Sequence, residues 1–232
     1  MRITKLTISS YIPAKFMKVK ISILVFAALV TAVISCKKSG DIAPIVKTAF
    51  INIVNASADT LNFYQSGTRL NNTSNLYPSG SLAGLVVTVG TQNYQFKKAG
   101  SANSLMEVPI TIDTLATHTL FVAGETADKV FLTKDLVPDT GKSVRIRFIN
   151  ASPATTNVDV YVGTNFAYKN VAFKSETPYI TVSAGANALS IYQAGTTTLL
   201  AGGTLTLTSG PYTLYTKGGI TGNTFGARII NR

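Results

Sequence analysis

Phe50-Ile-Asn-Ile-Val-Asn-Ala-Ser57 recurs as Arg145-Ile-Arg-Phe-Ile-Asn-Ala-Ser152, aligned on Asn55 and Asn150. The likeness continues downstream. Leu61-Asn-Phe-Tyr64 matches Val158-Asp-Val-Tyr161, with two extra residues in the second copy. Val87, Gly90, Tyr94-Gln-Phe96 and Ala99-Gly100 match Val182, Gly185, Leu189-Ser-Ile191 and Ala194-Gly195. His118-Thr-Leu-Phe121 matches Tyr212-Thr-Leu-Tyr215. The offset stays between 94 and 97 residues, which marks a tandem duplication. A unit of about 95 residues has the size of a complete domain, not of a solenoid repeat.

Each copy reads as strands. Val144-Arg-Ile-Arg-Phe148 alternates apolar and charged residues with period two. Asn157-Val-Asp-Val-Tyr-Val162 does the same and sends Val158, Val160 and Val162 to one side, Asp159 and Tyr161 to the other. Turn signals separate these runs: Ser152-Pro153, Ala184-Gly185, Ala194-Gly195, Ser209-Gly210-Pro211 and Lys217-Gly218-Gly219. Threonine and valine suit a half-buried pleated surface. The pattern predicts an all-β chain: two tandem antiparallel β-sandwich domains, immunoglobulin-like in size, after an N-terminal signal helix. The cysteine–tryptophan core of antibody domains is missing, since the chain has no Trp. The expected boundaries are 1–35 for a signal peptide, 36–46 for a tether, 47–140 for the first sandwich and 141–232 for the second. The brief connection Pro138–Lys142 makes the two modules close neighbours with limited play.

The segment Val144–Pro153 (VRIRFINASP), followed by Val158-Asp-Val-Tyr161, resembles the opening motif of the bacterial domain of unknown function 4397. Phe173 through Pro178-Tyr179, then Val182 and Ala184-Gly185, are also similar to that family. The resemblance covers about 143–217 and reaches 48–134 through the internal repeat. There Ala58 replaces the proline, Asn62 replaces the aspartate, and residues 66–83 do not align with the second copy. The resemblance implies an extracytoplasmic β-sandwich module, often on lipoproteins of Bacteroidetes-like bacteria. It implies no catalytic residue and no established ligand.

The chain has one cysteine, Cys36. Ahead of it Ile21–Ile34 (ISILVFAALVTAVI) is apolar apart from Ser22 and Thr31, with Lys18 and Lys20 before it and Ser35 after it. That is the layout of a secretory signal. It resembles a bacterial lipoprotein signal, in which the cysteine is lipidated and becomes the new N-terminus. Cys36 is the expected lipidation site and the membrane the expected partner. Spanning a bilayer takes about 20 apolar residues; this run has 14. A transmembrane anchor stopped by Lys37 and Lys38, and a cleaved signal with an incidental cysteine, are the alternatives. Met17–Cys36 reads as a complete signal, which makes Met17 the expected start; an extended basic region is the alternative. Lys37 stands where an aspartate is associated with inner-membrane retention, which favours the outer membrane. The absence of an acidic cluster after Cys36 favours a periplasm-facing orientation.

The formal net charge of +11 falls to +6 from Cys36 onward, with 16 basic and 10 acidic side chains. The excess lies in 141–232, where Lys142, Arg145, Arg147, Lys169, Lys174, Lys217, Arg228 and Arg232 face only Asp159 and Glu176. A basic module favours anionic surfaces such as polysaccharide; the plainer expectation is a solvated face. Clustered basic runs are lacking, and an exported protein is no candidate for nucleic acid. With Cys36 lipidated, no disulfide or thiol metal site is possible.

Catalytic constellations are missing too. The single histidine, His118, has Tyr212 at its equivalent position, so it reads as a strand residue and not a general base. One histidine cannot build a zinc site. Asp135 and Asp139 sit near a loop without calcium-ligand spacing. The expectation is no enzyme, no metal and no cofactor. Asn55 and Asn150 sit where a strand should stop, and Asn and Ser side chains there bond their own backbone. Two function classes remain: a structural or protein-interaction module of the envelope, or a glycan-binding lipoprotein. Tyr64, Tyr161, Tyr168, Tyr179, Tyr192 and Tyr215 are the candidates for stacking on sugars; the plainer expectation places them in the sandwich cores or on barely exposed strand faces. Two or three of them coplanar on one exposed face would favour glycan binding; dispersal would favour the structural reading.

Overall fold

The computed structural model describes residues 45–135, 143–153, 157–219 and 224–231. The expected signal peptide, Cys36 and Asp139 lie outside them.

Sixteen strands are present among the described residues, eight per repeat. The first repeat holds β1 (Thr48–Asn55), β2 (Leu61–Gln65), β3 (Thr68–Arg69), β4 (Ser81–Thr88), β5 (Gly90–Lys98), β6 (Met106–Ile112), β7 (His118–Val122) and β8 (Val130–Lys134). The second holds β9 (Val144–Ile149), β10 (Val158–Val162), β11 (Asn165–Val171), β12 (Ile180–Val182), β13 (Gly185–Gln193), β14 (Leu199–Leu207), β15 (Gly210–Lys217) and β16 (Gly226–Asn231). The sheets correspond strand for strand. Orders β4-β1-β7-β8 and β3-β2-β5-β6 in the first repeat become β12-β9-β15-β16 and β11-β10-β13-β14 in the second. Pairing is antiparallel except that β1 runs parallel to β7, and β9 to β15. The immunoglobulin-sized sandwich expected from the period-two pattern is therefore present twice, with one parallel pair in each copy.

Backbone chemistry at the turns is duplicated as well. Gly90 and Gly185 open β5 and β13 at φ of 94° and 101°, and Gly100 and Gly195 follow the same strands at 83° and 70°. A side chain at these angles would be strained, which explains glycine at both pairs of equivalent positions.

Alternation decides the layers. In β1, Ile51 and Ile53 join Leu61, Phe63, Tyr94, Phe96 and Leu120 in the core between the two sheets of the first repeat. In β9 and β10, Ile146, Phe148, Val158, Val160 and Val162 form the matching core of the second. Toward their C-terminal ends the opposite faces of β1 and β9 are buried too. Val54, Ala56, Phe121, Ala123, Ile149, Ala151 and Tyr215 make a third core, with Phe131, Phe173 and Ile230 packed on it. This core joins sheet β4-β1-β7-β8 to sheet β12-β9-β15-β16. The two repeats thus form a four-layered stack, and Val46–Arg232 is one compact unit. The limited play expected between two neighbouring modules is replaced by a shared apolar core. Strands buried on both faces lose the clean alternation of a half-exposed sheet, and β1 and β15 end in near-continuous buried runs.

Each sandwich core holds one tyrosine whose hydroxyl burial pushes up to about 12: Tyr94 in the first and Tyr168 in the second. In the unfolded chain both would ionise near 10. Their contribution to stability is complete below about pH 10 and is lost as the pH rises toward 12. Alkaline titration followed by tyrosinate absorbance and circular dichroism should show Tyr94 and Tyr168 ionising together with unfolding.

Candidate functional site

The six candidate tyrosines are dispersed. Tyr168 is in the second sandwich core, its hydroxyl donating to the Ile146 carbonyl at 2.6 Å. Tyr215 is in the core between repeats and donates to the Ser79 carbonyl at 3.2 Å. The Tyr179 ring lies beneath the Arg147 guanidinium at 5.4 Å. Tyr64 is half-buried on β2, with the Lys97 ammonium 4.9 Å from its ring centre. Only Tyr161 and Tyr192, half-buried on adjacent β10 and β13, form a pair, with ring centres 5.6 Å apart and planes at 88°. A coplanar platform of two or three rings is not what these positions build.

The Asn-Ala-Ser loops are the best-organised shared feature. The Asn55 side-chain oxygen accepts from the Ser57 amide at 3.0 Å and the Ser57 hydroxyl at 2.6 Å. Its amide donates to the carbonyls of Asp59 and Leu76 at 2.7 and 3.0 Å. In the second copy the Asn150 oxygen accepts from the Ser152 amide at 3.3 Å and the Thr216 hydroxyl at 2.8 Å, and its amide donates to the Val171 carbonyl at 3.0 Å. Both asparagines are fully buried and follow the last inward residue of their strands. The motif ends a strand and ties it to the opposite sheet, as the sequence predicted for a turn-forming Asn. Between them, Ala56 and Ala151 enter the inter-repeat core, and the Gly218 amide donates to the Ala56 carbonyl at 3.0 Å. Asn55→Ala or Asn150→Ala should each lower unfolding free energy by about 1–3 kcal/mol, because buried backbone groups lose their partners. Chemical denaturation midpoints would read this.

The profile of a family described as a domain of unknown function (DUF4397) matches residues 49–161 and 144–230. The chain belongs to the DUF4397 family. No curated protein matches it. Among solved structures, a family 41 carbohydrate-binding module from streptococcal virulence factors aligns at 11% identity, covering 72% of this chain and 92% of that one, with a TM-score of 0.24. The family 26 module of Eubacterium rectale Amy13K in complex with maltoheptaose aligns at 12% identity, covering 79% and 97%, with a TM-score of 0.26. At such TM-scores these superpositions carry no argument about a ligand.

The most highly organised charges of the DUF4397 pair are structural. Arg147, on β9, is 3% exposed. Its guanidinium pairs with the buried Asp135 carboxylate that follows β8. It also donates to the Thr213 hydroxyl at 3.0 Å, the Lys134 carbonyl at 3.0 Å and the Glu176 carboxylate at 3.2 Å. Asp135 further accepts from the Thr119 hydroxyl at 2.6 Å and the Asn52 amide at 3.3 Å. The network joins the two DUF4397 repeats across their shared core. Arg147 is thus an exception to the solvated basic face expected of 141–232: it is buried between repeats, while Lys169, Lys174 and Arg228 are exposed. Asp135, weighed as a loop carboxylate, has its oxygens engaged by Arg147, Thr119 and Asn52. Sequence reasoning missed this pair because the partners belong to different repeats. The available signal was an arginine at an outward position of a strand whose next outward residue, Ile149, is apolar.

His118 is 1% exposed on β7, with its Nε2 3.7 Å from an Asp113 oxygen. Asp113 also holds Lys134 at 3.1 Å, and that hydrogen bond leads the causes that lower its carboxyl pKa below the ordinary aspartate value.

Proposed function

We propose that this DUF4397 protein is a non-catalytic lipoprotein of the cell envelope, anchored through lipid on Cys36, whose two repeats act as one stiff interaction unit. The observation that carries this reading is the continuous core between repeats, closed by the Arg147–Asp135 pair. Tandem modules joined only by a linker move independently by default; a shared apolar core with a buried ion pair suits a spacer or scaffold that must hold its ends in fixed relation. The burial of His118 supports the absence of catalysis. Thermal unfolding of the mature chain should give one cooperative transition for both repeats. Two separable transitions in the native protein would sink the reading. Mass spectrometry of the membrane-extracted protein tests the anchor, and Cys36→Ser should release the protein to the soluble fraction. The outer membrane is the proposed address.

The Tyr161–Tyr192 pair favours a second reading, glycan binding on the outer face of sheet β11-β10-β13-β14. A polysaccharide array probed at low and moderate salt separates the two. Binding that resists salt and is lost in Tyr161→Ala and Tyr192→Ala would establish a sugar site. Binding that vanishes with salt would report only anion attraction to the basic second repeat.

A further inference from the structure

The outer face of sheet β4-β1-β7-β8 is only partly covered by the second repeat. Beyond the shared core it presents Phe50 and Val86, which are directly opposed on β1 and β4 and are 63% and 52% exposed. Leu115, 87% exposed, lines one recess with Phe50. Val46, 63% exposed, lies two residues before β1. Contiguous exposed apolar side chains of this kind mark an interaction surface.

Comparison of the repeats sharpens the point. The pair equivalent to Phe50 and Val86 in the second copy is Arg145 and Thr181, opposed in the same way on β9 and β12. The duplicated fold therefore does not need apolar residues here. They occur in the repeat that directly follows the tether. Nine residues separate Val46 from Cys36, the start of the mature chain. Even fully extended, that tether spans no more than roughly 35 Å. Lys37, Lys38 and Lys47 flank it, and basic residues at this position are attracted to anionic headgroups.

We infer that Val46, Phe50, Val86 and Leu115 form a bilayer-contacting face, seated at the headgroup boundary of the membrane that holds the lipid on Cys36. The inference rests on the anchor proposed above and deepens it. A lipid alone would leave the stack free to tumble on its tether. Apolar residues dipping about 5–10 Å into the interface would fix its orientation, leaving the second repeat as the part presented to partners.

The chain has no tryptophan, so Leu115→Trp and Tyr192→Trp each supply a single fluorophore. The mature lipidated protein is reconstituted into vesicles of phosphatidylethanolamine and phosphatidylglycerol carrying brominated acyl chains. Emission from Leu115→Trp should shift to the blue and be quenched, while Tyr192→Trp on the far sheet stays unquenched. Unquenched Leu115→Trp emission in vesicles overturns the inference. So does a blue shift that appears without vesicles and grows with protein concentration, which would mean that a second copy covers the patch. The anchor is read separately from the mass of the purified protein. If Cys36 carries no acyl chain, the same mature chain is coupled through its only thiol to a maleimide-headgroup lipid. Quenching of Leu115→Trp then upholds the face although the native anchor fails, and its absence overturns the face.

Discussion

Arg147→Met is expected to cost about 3–5 kcal/mol of unfolding free energy, the penalty for leaving a buried charge without its partner. Asp135 is 7% exposed and would lose its cationic partner while the Thr119 hydroxyl and the Asn52 amide still donate to it. The Lys134 carbonyl and Thr213 hydroxyl would each lose a partner in the same step. Asp135→Asn should cost less, because Arg147 retains Glu176, whose side chain is 46% exposed and thus stabilised by water. Combining Arg147→Met with Asp135→Leu removes both charges together. Apolar replacement of a whole buried pair is often neutral, so the double variant should recover most of the loss. Urea denaturation midpoints for the parent, Arg147→Met, Asp135→Leu and their combination form a double-mutant cycle. A single Arg147→Met variant within 1 kcal/mol of the parent, on the order of a surface change, would mean the pair does not hold the repeats together.

The reach of the sequence can be judged from particular residues. Period-two alternation placed Val158, Val160 and Val162 in a core and Tyr161 opposite, and the fold does the same. The repeat offset paired Gly90 with Gly185 and Asn55 with Asn150, and both pairs do the same backbone work. What alternation reports is which face of a strand a residue occupies, not what lies against that face. Arg147 sits on the outward side of β9, as read, yet the other repeat covers it. The same limit hid Tyr215, which reads as a strand-face aromatic until Phe121 meets it from 94 residues earlier. Residues 66–83 resisted alignment for a local reason. The chain there turns through positive φ at Ser66 and Gly67, and a two-residue β3 stands where the second copy has the seven-residue β11. The tyrosines fall into the core or onto half-buried strand faces, as the plainer reading had it, and the hydroxyl allows both fates: Tyr168 and Tyr215 are buried with a carbonyl partner, Tyr161 and Tyr192 half-exposed.

Tyr215→Ala should match the arginine variant in size and differ from it in kind. The ring is 1% exposed and meets Phe121 edge-on at 5.7 Å, while Phe121 stacks on Phe131 at 5.2 Å. Removing a buried aromatic costs about 3–5 kcal/mol through lost transfer energy and the cavity left behind. The Ser79 carbonyl, in the other repeat, loses its donor as well. Tyr215→Phe isolates that hydrogen bond and should cost about 1 kcal/mol. Because Phe121 and Tyr215 touch, Phe121→Ala and Tyr215→Ala should not add; an edge-on aromatic pair is worth about 0.5–1.5 kcal/mol beyond its buried area. The location of the loss matters more than its size. Neither sandwich core contains Tyr215, so the variant weakens the joint while each sandwich keeps its own apolar interior. Calorimetry should therefore resolve two transitions where the parent gives one. A lowered but still single transition would show the repeats still coupled without the Tyr215 ring, and would overturn its assignment as the residue that holds the joint.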